Sequence, residues 1–130
     1  MAEDNGTLAR LYETLDTSLG SPEGRAAILN MLAEDFAWEF SLPDKVVGGG
    51  FDVFEKFLLA RAQAAGHAAR HRVIMAARSG RNELLFGNLE TDGAAPSPFV
   101  AAAEIDGEGR IRRMVLRRTN SLIFGEEAEE

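Results

Sequence analysis

The chain has 130 residues, enough for one domain with a buried core but not for two. A hydrophobic content of 45% beside 27% charged residues fits a soluble globular protein, and no apolar run is long enough to span a bilayer. The absence of cysteine excludes disulfides and thiolate chemistry, and a net charge of −7 disfavours a phosphate-binding surface, which would need clustered Lys and Arg.

The start, MAEDNGTLAR, is polar and acidic and lacks the apolar region of a signal peptide. With no cysteine in use, the expected setting is cytoplasmic, with neither a membrane nor a nucleic acid as partner. Four of the last five residues, EEAEE, are glutamates, so the body itself is only mildly acidic. The expected division is a single domain over residues 1–125 and a disordered acidic tail over 126–130.

The first element expected is a helix in TLARLYETLDTSLG, with Thr7 as its cap and Gly20 after its end. Leu8, Leu11, Tyr12, Leu15 and Leu19 form its apolar stripe, and Asp16 lies on the edge of that stripe one turn after Tyr12. A second helix starts at SPEG, with Ser21 as N-cap and Pro22 in the first helical position; Ile28, Met31 and Leu32 give its apolar face. DFAWEFSL reads as a short strand in which Phe36, Trp38 and Phe40 alternate with Ala37, Glu39 and Ser41. VVGGG reads as a flexible joint, and FDVFEKFLLARAQAA as a third helix burying Phe51, Phe54 and Leu58.

The second half reads as a meander of four strands. RHRVIMAAR and ELLFGNLE flank the turn SGRN, and SPFVAAAEI and RIRRMVLRR flank DGEG. Helices gathered early and strands late indicate an α+β fold: a curved antiparallel sheet packed on three N-terminal helices.

Hairpin register gives a testable inner face. With SGRN as a four-residue connection, Arg78 lies opposite Glu83, Met75 opposite Phe86, Val73 opposite Asn88 and His71 opposite Glu90. One face then carries His71, Val73, Met75, Ala77, Leu84, Phe86, Asn88 and Glu90, apolar near the turn and polar at the far end. The other carries Arg72, Ile74, Arg78, Leu85 and Leu89, a mixture suited to solvent or a subunit contact. The second hairpin puts Phe99, Ala101 and Ala103 with Met114 and Leu116, and sends Val100, Ala102 and Glu104 to the opposite side with Arg113, Val115 and Arg117. Small alanines toward the helices leave room for a pocket. A slip of one residue would reverse these faces.

The segments LARLYETLD, LAEDFAWEF, RHRVIMAARSGRNELLFGN and DGEGRIRRMVLRR, which span nearly the whole chain, resemble the SnoaL-like (polyketide cyclase-like) group of the nuclear transport factor 2-like superfamily. That resemblance implies a cone: a bent sheet wrapped around helices, with a pocket at its open end, commonly dimeric and without a cofactor. The superfamily holds isomerases, dehydratases, cyclases and members with no catalysis, so the fold alone selects no function. Tyr12 matches the tyrosine of ketosteroid isomerase-like members, but Phe40 and Ala101 stand where their aspartates would. Limonene-epoxide hydrolase-like members use an Arg-x-Asp strand motif and a second Asp; here Asn88-x-Glu90 and Leu116 break that set. The nearest functional pattern is scytalone dehydratase-like, an Asp of the first helix with a His at the start of a strand. Asp16 and His71 occupy those places, and Asn88 stands in place of a second His.

The resemblance thus implies His71 and Asp16 as a catalytic pair. A His with an ordinary pKa near ~6.5 can take a proton beside a carbonyl at neutral pH, and a carboxylate on its other nitrogen fixes the tautomer. Glu90 is an alternative partner for His71. The expected pocket is lined by Tyr12, Trp38, Phe40, Val73, Met75 and Phe86. Asn88, Glu90, Ala101, Met114 and Leu116 complete it. Tyr12 or Asn88 would steady a developing oxyanion. The expected activity is that of a cofactor-independent lyase or isomerase acting on a small organic ligand, in a homodimer joined through the outer sheet face. The alternative is a non-catalytic ligand-binding or dimeric assembly domain of the same fold, in which His71 caps a strand end. His67 and His71 are four apart, but His67 belongs to a connection and His71 to a strand, and no third ligand is spaced regularly, so no metal is expected.

Overall fold

The computed structural model describes residues 6–64, 69–91 and 95–119. His67 and the tail 126–130 lie outside these residues. Three helices and six strands follow in the order α1 (Thr7–Ser18), α2 (Pro22–Leu29), β1 (Leu32–Leu42), β2 (Lys45–Gly49), α3 (Phe51–Ala64), β3 (Ala69–Ser79), β4 (Asn82–Thr91), β5 (Ser97–Ile105) and β6 (Ile111–Arg118). The strands form one curved, unclosed sheet in the order β2-β1-β6-β5-β4-β3. All neighbours are antiparallel except β1 and β6, which run parallel, so the sheet is mixed where a purely antiparallel one was expected. The reason is topological. β1 and its hairpin partner β2 precede the meander, and β1 joins the sheet beside its last strand.

Val46 and Val47 with the following glycines do not form a joint; they pair with β1 through Phe40–Val47 and Trp38–Gly49. Ser21 caps α2 as expected, accepting the Gly24 N–H at 2.9 Å with Pro22 in the first turn. Thr7 does not cap α1, because it lies inside the helix and Gly6 takes the N-cap position. The cap instead comes from β4. The buried Glu83 carboxylate accepts the Leu8 N–H at 2.8 Å, and its negative charge suits a helix N-terminus. Gly6 fits here for two reasons: its φ is +98°, and a Cβ would come within 2.6 Å of that carboxylate.

The core fills the space between the helices and one face of the sheet. Leu8, Leu11 and Tyr12 of α1, Ile28 of α2, and Phe54 and Leu58 of α3 are all buried in it. Phe36, Trp38 and Phe40 alternate inward from β1, and Phe54 meets the rings of Phe36 and Trp38 edge-on at 5.1 and 5.0 Å. The second hairpin has the expected faces: Ala101 is opposite Leu116 and Ala103 opposite Met114, all buried, while Val100, Ala102 and Glu104 face outward with Arg117, Val115 and Arg113.

The first hairpin departs from expectation. From the turn to Met75–Phe86 the register is as expected, but the faces are reversed: Met75, Leu84 and Phe86 lie outward, and Ala76 and Leu85 face the core. Pairing with β5 decides this, because Leu85 sits opposite the buried Ala101 and Gly87 opposite the buried Phe99. A β-bulge then interrupts β3 between Val73 and Met75. Beyond it His71 pairs with Leu89 rather than Glu90, and Arg72 with Asn88. One extra residue reverses side-chain direction, and so His71 turns inward although Met75 points out. Gly87 permits the bulge, since a Cβ there would lie 1.9 Å from the Arg72 carbonyl oxygen.

Candidate active site

His71 begins on an edge strand, where alternate amides have no strand to pair with. Asp16, in the third turn of α1, supplies the missing acceptor. Its Oδ2 accepts the His71 backbone N–H at 2.8 Å, and its Oδ1 lies 2.7 Å from the ring Nδ1. Both side chains are largely buried, with 9% of His71 and 13% of Asp16 exposed. With a carboxylate on Nδ1, that nitrogen carries the proton and Nε2 keeps the lone pair. Glu90 is not the partner: it lies beside the outward Arg72, its Oε2 3.9 Å from the guanidinium.

The ring of His71 packs against Tyr12 and Phe99, with centroids 4.6 and 5.1 Å away, and those two rings touch each other at 5.4 Å. Tyr12 is 2% exposed, and among the described residues its hydroxyl has no hydrogen-bond partner. Burial pushes the phenol well above its ordinary pKa of 10, with Asp16 adding to the rise and Arg61 opposing it. The hydroxyl therefore stays protonated and can act only as a hydrogen-bond donor or acceptor, not as a base.

These groups line an enclosed cavity of about 30 Å³, space for one or two waters. The apolar wall includes Phe40, Phe54, Leu58, Leu89, Phe99 and Leu116. Around the opening stand the half-buried Leu15, Leu42 and Phe57 and the exposed Arg61, whose guanidinium lies 5.9 Å from the Phe57 ring centre. Arg118 enters the same cavity from β6, on the face shared by Met114 and Leu116, and its buried Nε has no hydrogen-bond partner among the described residues.

Of the residues expected at the pocket, His71, Tyr12, Phe40 and Leu116 line this cavity. Trp38, Ala101 and Met114 face the same core but lie outside the lining; the Trp38 Nε1–H is spent on the Gly50 carbonyl at 3.0 Å. Met75, Phe86, Asn88 and Glu90 are corrected to the outer face, and Val73 stands exposed at the bulge. Asn88 therefore takes no place beside His71. Arg61 and Arg118 were missed by the sequence reading. Arg118 was detectable, two residues after Leu116 and four after Met114 in a strand of period two. Arg61 follows Phe57 by one helical turn.

A wider concavity lies elsewhere. A groove of about 440 Å³ crosses the outer sheet face over Ala77, Leu84, Ala102 and Val115, rimmed by Arg78, Glu104 and Arg113. Among the described residues no cluster of His, Asp and Glu could hold a metal ion, and no helix is long and apolar enough to cross a membrane.

Comparison with solved structures identifies the architecture. A nuclear transport factor 2-like protein of unknown function from Exiguobacterium sp. 255-15 superposes with a TM-score of 0.66 at 13% identity, over 88% of this chain and 99% of the other. The fold is nuclear transport factor 2-like. A candidate SnoaL-like polyketide cyclase from Shewanella putrefaciens CN-32 matches with a TM-score of 0.65 at 14% identity, over 89% of this chain and 79% of that one. A candidate ketosteroid isomerase from Kribbella flavida DSM 17836 matches with 0.64 at 19% identity, over 97% and 83%. No family model and no curated protein matches the sequence. At these identities the likeness establishes the nuclear transport factor 2-like fold and nothing finer.

Proposed function

We propose that this protein is a cofactor-independent lyase or isomerase in which His71 moves a proton of a small carbonyl compound. The observation that carries the reading is the Asp16–His71 pair, a doubly bonded carboxylate behind an imidazole that opens on an apolar cavity. Asp16 holds the ring and its tautomer and stabilises the imidazolium. Nε2 takes the proton from the carbon beside the carbonyl, and the electron pair left behind forms an enolate. The neutral Tyr12 hydroxyl donates a hydrogen bond to that oxygen. In a lyase, a hydroxyl on the next carbon then leaves as water, with the proton returned by His71. In an isomerase, His71 delivers the same proton to another carbon. Leu15, Leu42, Phe57 and Arg61 at the opening shift to admit the substrate, since the enclosed space holds only a water or two.

The test is deuterium exchange at the α-carbon of a cyclic ketone such as 2-tetralone, followed by proton NMR in D₂O. The wild-type protein is expected to accelerate exchange, and His71→Ala to lose the acceleration while keeping its circular dichroism spectrum. Equal rates in the two proteins would refute the assignment.

A second reading, a non-catalytic ligand-binding or assembly domain, draws on the narrowness of the inner cavity beside the wide outer groove. The outer face, with Val115 55% and Met75 45% exposed, is in either case the surface proposed for a homodimer.

A further inference from the structure

The cavity wall is apolar except at three points other than His71: the Tyr12 hydroxyl, Arg61 and Arg118. Asp16 spends both oxygens on His71, and Glu90 lies on the other side of the sheet next to Arg72. Among the described residues neither Arg61 nor Arg118 forms an ion pair, as is also true of Arg10, Arg25, Arg70, Arg81 and Arg117; what sets Arg61 and Arg118 apart is that they line this cavity. Desolvation of the part of Arg61 that lines the cavity and then the charge of Arg118 lower its pKa, while Tyr12 and Asp16 raise it. Arginine does not escape by losing its proton, so the site keeps two positive charges against an apolar wall. Among the described residues the buried Arg118 Nε and the buried Tyr12 hydroxyl have no hydrogen-bond partner, and leaving such groups unsatisfied is costly. A bound anion would satisfy both.

We propose that the cavity receives the carboxylate of a small apolar acid, held by the guanidinium groups of Arg61 and Arg118 beside the Tyr12 hydroxyl. The assignment rests on the reading of this cavity as a ligand site, and it names the class of molecule that site takes. A carboxylate is favoured over a phosphate for its size and shape. It is flat, it matches the guanidinium fork with two parallel hydrogen bonds, and it carries little bulk into a space this narrow. The apolar body of the acid would lie against Phe40, Phe57, Leu89 and Leu116, reaching His71 from the side away from Asp16.

The test is an NMR titration of the full chain with phenylacetate, phenylacetamide and phenyl phosphate, which share a ring and differ in the head group. Phenylacetate is expected to bind about tenfold more tightly than phenylacetamide, the gain of a charge-assisted contact. Arg61→Gln and Arg118→Gln should each reduce that preference at least about threefold, and Arg118→Lys should restore part of it by returning the charge. Circular dichroism of each variant separates lost binding from lost folding. Deuterium exchange of 2-tetralone, which carries no carboxylate, reads proton transfer separately, so the failure of either assignment leaves the other to be judged on its own. Equal binding of acid and amide, a preference that survives both glutamine variants, tighter binding of phenyl phosphate, or no binding of any of the three would each overturn it.

Discussion

Strands β3 to β6 carry large apolar side chains on both faces, and the two faces are put to different uses. Inward, Leu85, Leu89, Phe99 and Leu116 are buried against helices, and the few polar groups left among them are His71, Tyr12 and Arg118 around one small cavity. Outward, Met75, Leu84 and Val115 stand exposed around a groove more than ten times as large, and the arginines there are paired with Glu104 and Glu90. Size and chemistry are therefore separated. Ordinary ion pairing satisfies the charges of the outer groove, whereas among the described residues Arg61 and Arg118 of the inner cavity form no ion pair, and it is the inner cavity that suits a reacting ligand.

Substitutions can break this contrast from either side. The largest effect is expected from His71→Ala, a loss of about 10³-fold in α-proton exchange, near 4 kcal/mol of transition-state stabilisation. Asp16→Asn should cost about 10²-fold in the same assay, since the imidazole loses its carboxylate but keeps a hydrogen-bonding neighbour. Phe99→Ala, on the inner face, is expected to lower stability by about 3–5 kcal/mol in urea unfolding.

Gly87→Ala tests the link between strand geometry and the site. The new methyl group would collide with the Arg72 backbone, so a loss of about 1–3 kcal/mol is expected, together with weaker exchange as His71 is displaced. Retention of both full stability and full rate would show that the bulge does not position the histidine.

Tyr12 gives a pH signature of the inner face. Its folded-state pKa lies above the unfolded value near ~10, so its contribution to stability is present below that pH and falls away as pH rises past it. The unfolded chain then releases a proton that the folded chain retains. Tyr12→Phe should flatten the alkaline decline measured by thermal unfolding. The smallest effect on the isolated chain is expected from Val115→Glu on the outer face, within about 0.5 kcal/mol. The same change should shift a dimer toward monomer in analytical ultracentrifugation, and an unchanged association state would remove the outer face as the subunit contact.

Element positions were legible to different degrees, for identifiable reasons. α2 was announced by Ser21 and Pro22, and β1 by the alternation of Phe36, Trp38 and Phe40, because both signals lie within a few residues. The faces of β5 and β6 were legible because Arg113 and Arg117 mark one side as polar. The first hairpin offered no such mark. Leu84 and Phe86 compete with Leu85 and Leu89 for the core, and only pairing with β5 settles which pair is buried. His71 was expected inward from an uninterrupted register with the opposite sense. Reversal of the faces and the bulge in β3 cancel at that residue but not at Met75, Phe86, Asn88 or Glu90.

The sequence by itself determined the α+β order, the Asp16 position on α1, the strand carrying His71 and the inward alanines of β5, all of which follow from local period and turn chemistry. Tertiary structure alone decided that Glu83 caps α1 from 75 residues away, that β1 lies parallel to β6, and that Arg61 and Arg118 share a cavity with His71. Those outcomes depend on which apolar surfaces meet once the sheet curves over the helices. Burial is a property of that meeting, and the period of a single strand does not contain it.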